Sequence, residues 1–319
     1  LSCAITRLLL GLASMVALAA NASDQSKGPQ AMAIKAPLAQ KSLLLDVAAR
    51  EGRLVTVGER GHILVSQDAG GSWAQAEVPT QALLTGVWMH DAKLGWAVGH
   101  DEVILRTRDG GLKWEKVHNS PDSEKPLLDV WFADARSGLA LGAYGRLLAT
   151  EDGGDTWQPR PVRGEDDFHL NQIAAAGDGT LYLAAEAGHL YRSDDRGRTW
   201  KPLLSPYKGS FFGVLPLSDG SLLAFGLRGN LFRSTDRGAT WQKVETGTDA
   251  TLTSGLELGP GRLVLGGMAG TLLWSEDGGR TLRKQELPDR KAIVALSRGD
   301  DRHLLLYGEG GTRKVEISR

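Results

Sequence analysis

One cysteine in 319 residues, Cys3, is too few for a disulfide framework or a thiolate zinc site. Neither sign of charge predominates either. The 37 Lys and Arg against 38 Asp and Glu leave a formal net charge of −1, which provides no basic footprint for nucleic acid. The Gly-x-Ser-x-Gly elbow of α/β-hydrolases is absent. Only one long apolar run occurs, Leu8 to Ala20, broken by Gly11 and Ser14. It falls short of the ~20 residues that span a bilayer. Arg7 precedes it and Ala20-Asn21-Ala22 follows as a small-x-small cleavage site, so residues 1–22 read as a secretory signal peptide with the mature chain from Ser23. The competing reading is an uncleaved anchor. Cys3 precedes the apolar run and is badly placed for lipid attachment. A mature chain from Ser23 has no cysteine, which suits an exported protein stabilised by packing alone.

Glycine is abundant: 41 residues, where an average chain of this length would hold about 7%. No Gly-x-y period accompanies it, so the excess signals tight turns rather than a collagen-like helix. The turns repeat. Ser66-Gln67-Asp68-Ala69-Gly70-Gly71-Ser72-Trp73 sets a pattern that returns at Thr107 to Trp114, Thr150 to Trp157, Ser193 to Trp200, Ser234 to Trp241 and Ser275 to Leu282. Its aspartates, Asp68, Asp109, Asp152, Asp195, Asp236 and Asp277, are spaced by 41, 43, 43, 41 and 41 residues. A period of this length points to a repeat architecture.

Each period reads as four short strands. In the fifth, Phe211 to Leu215 is an apolar run, Ser218 to Ser221 a turn, and Leu222 to Gly226 a second strand. Leu231 to Ser234 and Trp241 to Glu245 flank the Asp-containing turn. Turn chemistry every 8–12 residues between apolar runs is the all-β signal, and four strands per repeat match a propeller blade. Six repeats carry the Asp motif, and Ala292 to Ile317 supplies a seventh without it. The fold expected is all-β, a single seven-bladed β-propeller over residues 23–319 with repeats from about 42 to 317. The seventh repeat has three strands. Residues 31–40, which include Met32-Ala33-Ile34-Lys35-Ala36-Pro37-Leu38-Ala39-Gln40, are expected to add its fourth and close the ring.

The Asp motif resembles the Asp box, or bacterial neuraminidase repeat, in which it forms the hairpin between a blade's third and fourth strands. The chemistry suits a structural turn: the Asp accepts backbone N–H groups, the Gly takes positive φ, and the Ser or Thr hydroxyl ties the loop. Trp73, Trp114, Trp157, Trp200 and Trp241 then cover it, and Leu282 replaces Trp in the sixth copy. Gly95-Trp96-Ala97-Val98-Gly99, Leu128-Asp129-Val130-Trp131-Phe132 and Gly226 to Asp236 resemble the photosystem II stability/assembly factor family, over essentially all of residues 40–317. That resemblance implies an exported, non-enzymatic propeller that binds a protein or peptide, in photosynthetic organisms a membrane-protein precursor at the lumenal surface. It implies a location in the periplasm, or in the thylakoid lumen of a photosynthetic organism. Peripheral membrane association, a monomer and no cofactor are expected with it.

In a propeller the loops joining strands two and three share a face with the inter-blade connections. The candidate partner contacts on that face are Arg60, His100, Tyr144, Arg146, His169, Tyr207, Arg228 and Arg290. Their mixed charge suits a polypeptide read by complementary charges. His62, His100 and His189 occupy equivalent loops but lack the local spacing of a zinc motif, and no metal is expected. The alternative is a glycan-binding or sialidase-like glycoside hydrolase propeller. A sialidase needs a tyrosine nucleophile and an arginine cluster, and the Phe/Tyr-Arg-Ile-Pro sequence carrying the first arginine is absent. Tyr182, Tyr191 and Tyr307 fall within expected strands, which leaves Tyr144 and Tyr207.

Overall fold

The computed structural model describes residues 31–164 and 167–317. The expected signal peptide, residues 1–22, lies outside the described residues. Seven antiparallel sheets follow one another along the chain, at 44–75, 84–118, 127–159, 170–203, 211–244, 252–286 and 293–316, six of them four-stranded and the last three-stranded. In each, strands pair in sequence order, and the innermost strands of successive blades pack side by side. The fold is the seven-bladed propeller that the repeat length implies. No described helix is long and apolar enough to cross a membrane.

The apolar pattern explains the stacking. Second strands such as Gly95–Gly99 and Leu222–Gly226 are buried on both faces, because each sheet is sandwiched between two neighbours. Their side chains alternate between the core shared with the preceding blade and the core shared with the next: Ala97 packs with blade 1, Trp96 and Val98 with blade 3. Polar bonds add register. Asp46 Oδ2 accepts from Val87 N–H at 2.8 Å, Asp129 Oδ2 from Ile173 N–H at 2.9 Å, and Gln172 Oε1 from Val214 N–H at 2.8 Å, each reaching from one innermost strand to the next. At the opposite end, Arg53, Arg106 and Arg233 donate to the carbonyls of Gly110, Gly153 and Gly278 in the following blade's Asp box, at 2.9, 2.9 and 2.8 Å.

The Asp boxes close the third-to-fourth strand hairpins. In the first, Ser66 Oγ donates to Asp68 Oδ1 (2.8 Å) and accepts from Gly70 N–H (2.8 Å). Ser72 N–H and Oγ–H both donate to the same carboxylate, at 2.8 and 2.6 Å. The bonds recur around Asp152, Asp195, Asp236 and Asp277. Asp109 lacks one of them, because Lys113 stands where the others have a hydroxyl. The Ser72 hydroxyl and amide hold Asp68 well below the usual carboxylate range, at about 2. Trp114 and Trp157 bury their rings and donate to Gly111 O and Gly154 O, at 2.9 and 3.2 Å.

Ring closure departs from the sequence expectation. Residues 31–40 form no strand, and blade 7 has three among the described residues. Pro37 cannot donate to a ladder, and Ala39 N–H to Ala36 O (3.0 Å) and Lys41 N–H to Leu38 O (2.8 Å) turn the chain there. The segment before the turn lies on blade 1: Ala33 N–H donates to Val78 O, and the Gln75 amide bonds both Ala36 N–H and Ile34 O. The ring is sealed by face packing instead. Leu44, Leu54 and Leu64 of blade 1 meet Ala295, Leu305 and Tyr307 of blade 7, and Trp73 packs edge-to-face on Tyr307 with ring centroids 6.1 Å apart.

Candidate interaction face

The loops between second and third strands share one construction. In six blades the tip residue has positive φ: Arg60, Asp101, Tyr144, Ala187, Arg228 and Ala269, all between 54 and 58°. The next residue is left-handed too, and in five of these blades it is glycine: Gly61, Gly145, Gly188, Gly229 and Gly270. At Gly188 an added Cβ would stand 1.9 Å from Tyr207 O, so the connection leading to the next blade admits no side chain. Blade 2 is the exception. Glu102 takes that position at φ 52° and is fully buried.

Glu102 is held from blade 3. Its Oε1 accepts from Arg146 Nε at 2.9 Å and Nη2 at 2.5 Å, and His118 Nε2 lies 3.5 Å away. Its Oε2 is buried with no partner among the described residues. Arg146, expected as a partner contact, is thus largely committed to an internal ion pair. A left-handed non-glycine residue costs energy, and persists here because the ion pair fixes it.

Tyr144 is the exposed aromatic of the face, with 47% of its surface open. It rests on His169: the rings meet edge-to-face at 4.8 Å, and Tyr144 N–H donates to His169 Nδ1 at 3.2 Å. His169 is itself buried, and its backbone N–H donates to Glu186 Oε2 at 3.1 Å. Burial lowers the His169 pKa against the pull of Glu186, so the ring is neutral and its Nδ1 accepts. Beside them, a cleft between blades 3 and 4 is lined by Gly145, Pro161, Val162, Arg163, Phe168 and Tyr191, among others.

The remaining expected contacts divide by exposure. Arg60, Arg228 and Arg290 are exposed on left-handed residues, whereas His100 and Tyr207 are half-buried. Tyr207 packs on Phe211 and Phe232, and its hydroxyl donates to Leu227 O at 3.2 Å. The loop histidines do not converge. His62 Nδ1 lies 3.0 Å from Ser42 Oγ, while His189 stacks with Phe168 and Tyr191. Among the described residues no three His, Cys, Asp or Glu side chains group as metal ligands.

A pair of acids escaped the sequence reading. Asp46 and Asp129 occupy the same register position on the innermost strands of blades 1 and 3, where blades 2 and 5 carry Gly86 and Gly213. Burial pushes Asp46 up to about 6. Burial, and then the Asp46 charge, push Asp129 up to about 8. All four oxygens already accept backbone N–H groups, from Val47, Val87, Val130 and Ile173. The visible signal was an acid set between apolar residues in the strands Leu44–Arg50 and Leu127–Phe132; superposing the repeats also exposes Glu102 as the residue replacing a glycine.

The comparisons with known proteins agree with the repeat reading. A family model described as photosynthesis system II assembly factor YCF48 matches residues 118–182, and the BNR-Asp box repeat model matches residues 190–203. No curated protein sequence matches the chain. A solved structure described as YCF48 bound to D1 peptide is 18% identical, covers 94% of this chain and 100% of its own, and superposes with a TM-score of 0.72. YCF48 from Cyanidioschyzon merolae is 16% identical over 85% of this chain and 94% of its own, with a TM-score of 0.69. Virginiamycin B lyase from Staphylococcus aureus, at 12% identity, 88% and 97% coverage and a TM-score of 0.75, shows that the same fold also carries enzymes. The chain is thus an Asp-box propeller similar to the photosynthesis system II assembly factor YCF48, in sequence over residues 118–182 and in fold over nearly its whole length.

Proposed function

We propose that this chain is a binding propeller that holds an extended peptide of a partner protein on its strand two-to-three loop face, and assigns no chemical step to it. The observation that carries the reading is the set of left-handed loop tips, which turns Arg60, Tyr144 and Arg228 outward on one face while Tyr144 is braced by the buried His169. A braced, exposed tyrosine and exposed arginines on one face are the residue types enriched in binding hot spots. The YCF48 structure bound to D1 peptide supports a peptide as the ligand class. On this reading the protein acts after export, assisting assembly or stability of a membrane or envelope complex. The test is capture of envelope proteins by the wild type and by the combined variant Arg60→Glu, Tyr144→Ala, Arg228→Glu. Retained capture at an unchanged melting temperature sinks the assignment of this face.

The Asp46 and Asp129 pair is the observation that favours the second reading, glycoside hydrolysis. Against it, all four oxygens are engaged by backbone N–H groups: one on each carboxylate comes from its own strand, and the other clasps the next blade. Turnover of a glucan or sialoside by the purified protein, lost in Asp129→Asn, would establish that reading instead.

A further inference from the structure

Among the described residues blade 7 has three strands, and its edge has a definite pattern. Its third strand, Arg313–Glu316, alternates between half-exposed and exposed residues, whereas the third strands of the other six blades are buried almost throughout. Ile317 N–H donates to Arg302 O at 2.7 Å, and Gly311 N–H to Gly308 O at 3.0 Å. With Leu304 opposite Val315, the odd-numbered residues therefore bond inward, and Thr312, Lys314 and Glu316 turn their backbone groups outward. Gln40 O takes the Thr312 N–H at 2.9 Å. Lys314 and Glu316 have no outward backbone partner among the described residues. Two N–H and two C=O groups thus stand in a row, the arrangement that recruits another strand.

The side chains select the occupant. Run antiparallel about a twofold axis through Val315, a second copy of this strand sets Lys314 opposite Glu316 of the second copy, twice, and Val315 opposite its own counterpart. The outward residues then form the two hydrogen-bonded pairs and the valines the pair between them, which gives four backbone bonds with no change of register. Opposite charges and β-branched residues facing one another favour that pairing. Glu316 has no ion partner among the described residues, and the Lys314 ammonium, 3.0 Å from Asp300 Oδ2, is half-exposed. The chain's own residues 33–36 are committed to blade 1.

We propose that two copies of this chain associate through their blade 7 edges, third strand to third strand, about a twofold axis at Val315. The contact is small, so the dimer is reversible and fills only at high protein concentration. Sedimentation equilibrium from micromolar to millimolar protein reads it. Lys314→Glu and Glu316→Lys, each alone, set like charges opposite one another and weaken dimerisation by about tenfold. An equimolar mixture of the two variants restores it, because every Lys then faces a Glu. Lys314→Pro removes an outward N–H, leaves the inward ladder intact, and abolishes the dimer. If that variant fails to fold, the charge variants and their mixture decide. A wild type that stays monomeric at every concentration overturns the proposal, as does a mixture that associates no better than its components.

Discussion

Burial, and then the charge of Asp46 at the same register position of blade 1, raise the Asp129 carboxyl of blade 3 to about 8. A carboxyl whose folded pKa is raised stabilises the fold most at low pH. That contribution is lost as pH rises from the unfolded value, about 3.8, through the folded one, about 8 for Asp129. The box aspartates have the opposite sign: their pKa values are depressed, so their contribution is complete above the unfolded value and is lost only in acid. Between pH 5 and 8 they are constant.

Asp129→Asn is therefore expected to flatten the pH dependence of stability. Relative to the wild type, the variant gains stability as pH is raised from 5 to 8 in urea unfolding. His62, His100 and His169, whose pKa values are lowered chiefly by burial, contribute equally to both proteins. Parallel profiles for the two proteins would show that the acid pair does not hold the proton.

Asp195→Ala removes an acceptor of the Ser193 hydroxyl and of the Thr199 hydroxyl and amide, and is expected to cost about 1–3 kcal/mol. The reverse holds in blade 2. Lys113→Thr supplies the hydroxyl that Asp109 lacks and gives up only an exposed ion pair with Glu77. A gain of roughly 0.5–1 kcal/mol is expected, read as a higher urea midpoint. A lower midpoint for Lys113→Thr would contradict the account of the box as a hydrogen-bonded turn.

Glu102→Gly relieves a left-handed side chain but strands Arg146. The loss of the ion pair outweighs the relief, and a net cost of about 3 kcal/mol is expected. Adding Arg146→Leu recovers part of that cost, because the unpaired guanidinium is gone. A double variant less stable than Glu102→Gly alone would show that Arg146 has other essential partners.

How much was legible in the sequence follows from the range of each interaction. The Asp box is local: Ser66, Asp68, Gly70 and Ser72 bond within seven residues, so spacing alone revealed the turn, its six copies and the blade count. Strand alternation is local as well, and it located the loop face and the exposed Arg60, Tyr144 and Arg228. The Arg146 to Glu102 pair spans 44 residues and joins two blades, and nothing near Arg146 marks it as internal.

Seven repeats, their turn chemistry and an all-β ring are readable from the residue pattern, since each depends on residues within one hairpin. Tertiary packing alone turns Arg146 inward to Glu102, lets the Asp46 charge raise Asp129, and sets residues 33–36 on blade 1 rather than on the blade 7 edge. Those outcomes depend on which blade faces which and on how far burial strips water from a charge. They also depend on whether a segment before Pro37 gains more from the Gln75 side chain than from an open sheet edge.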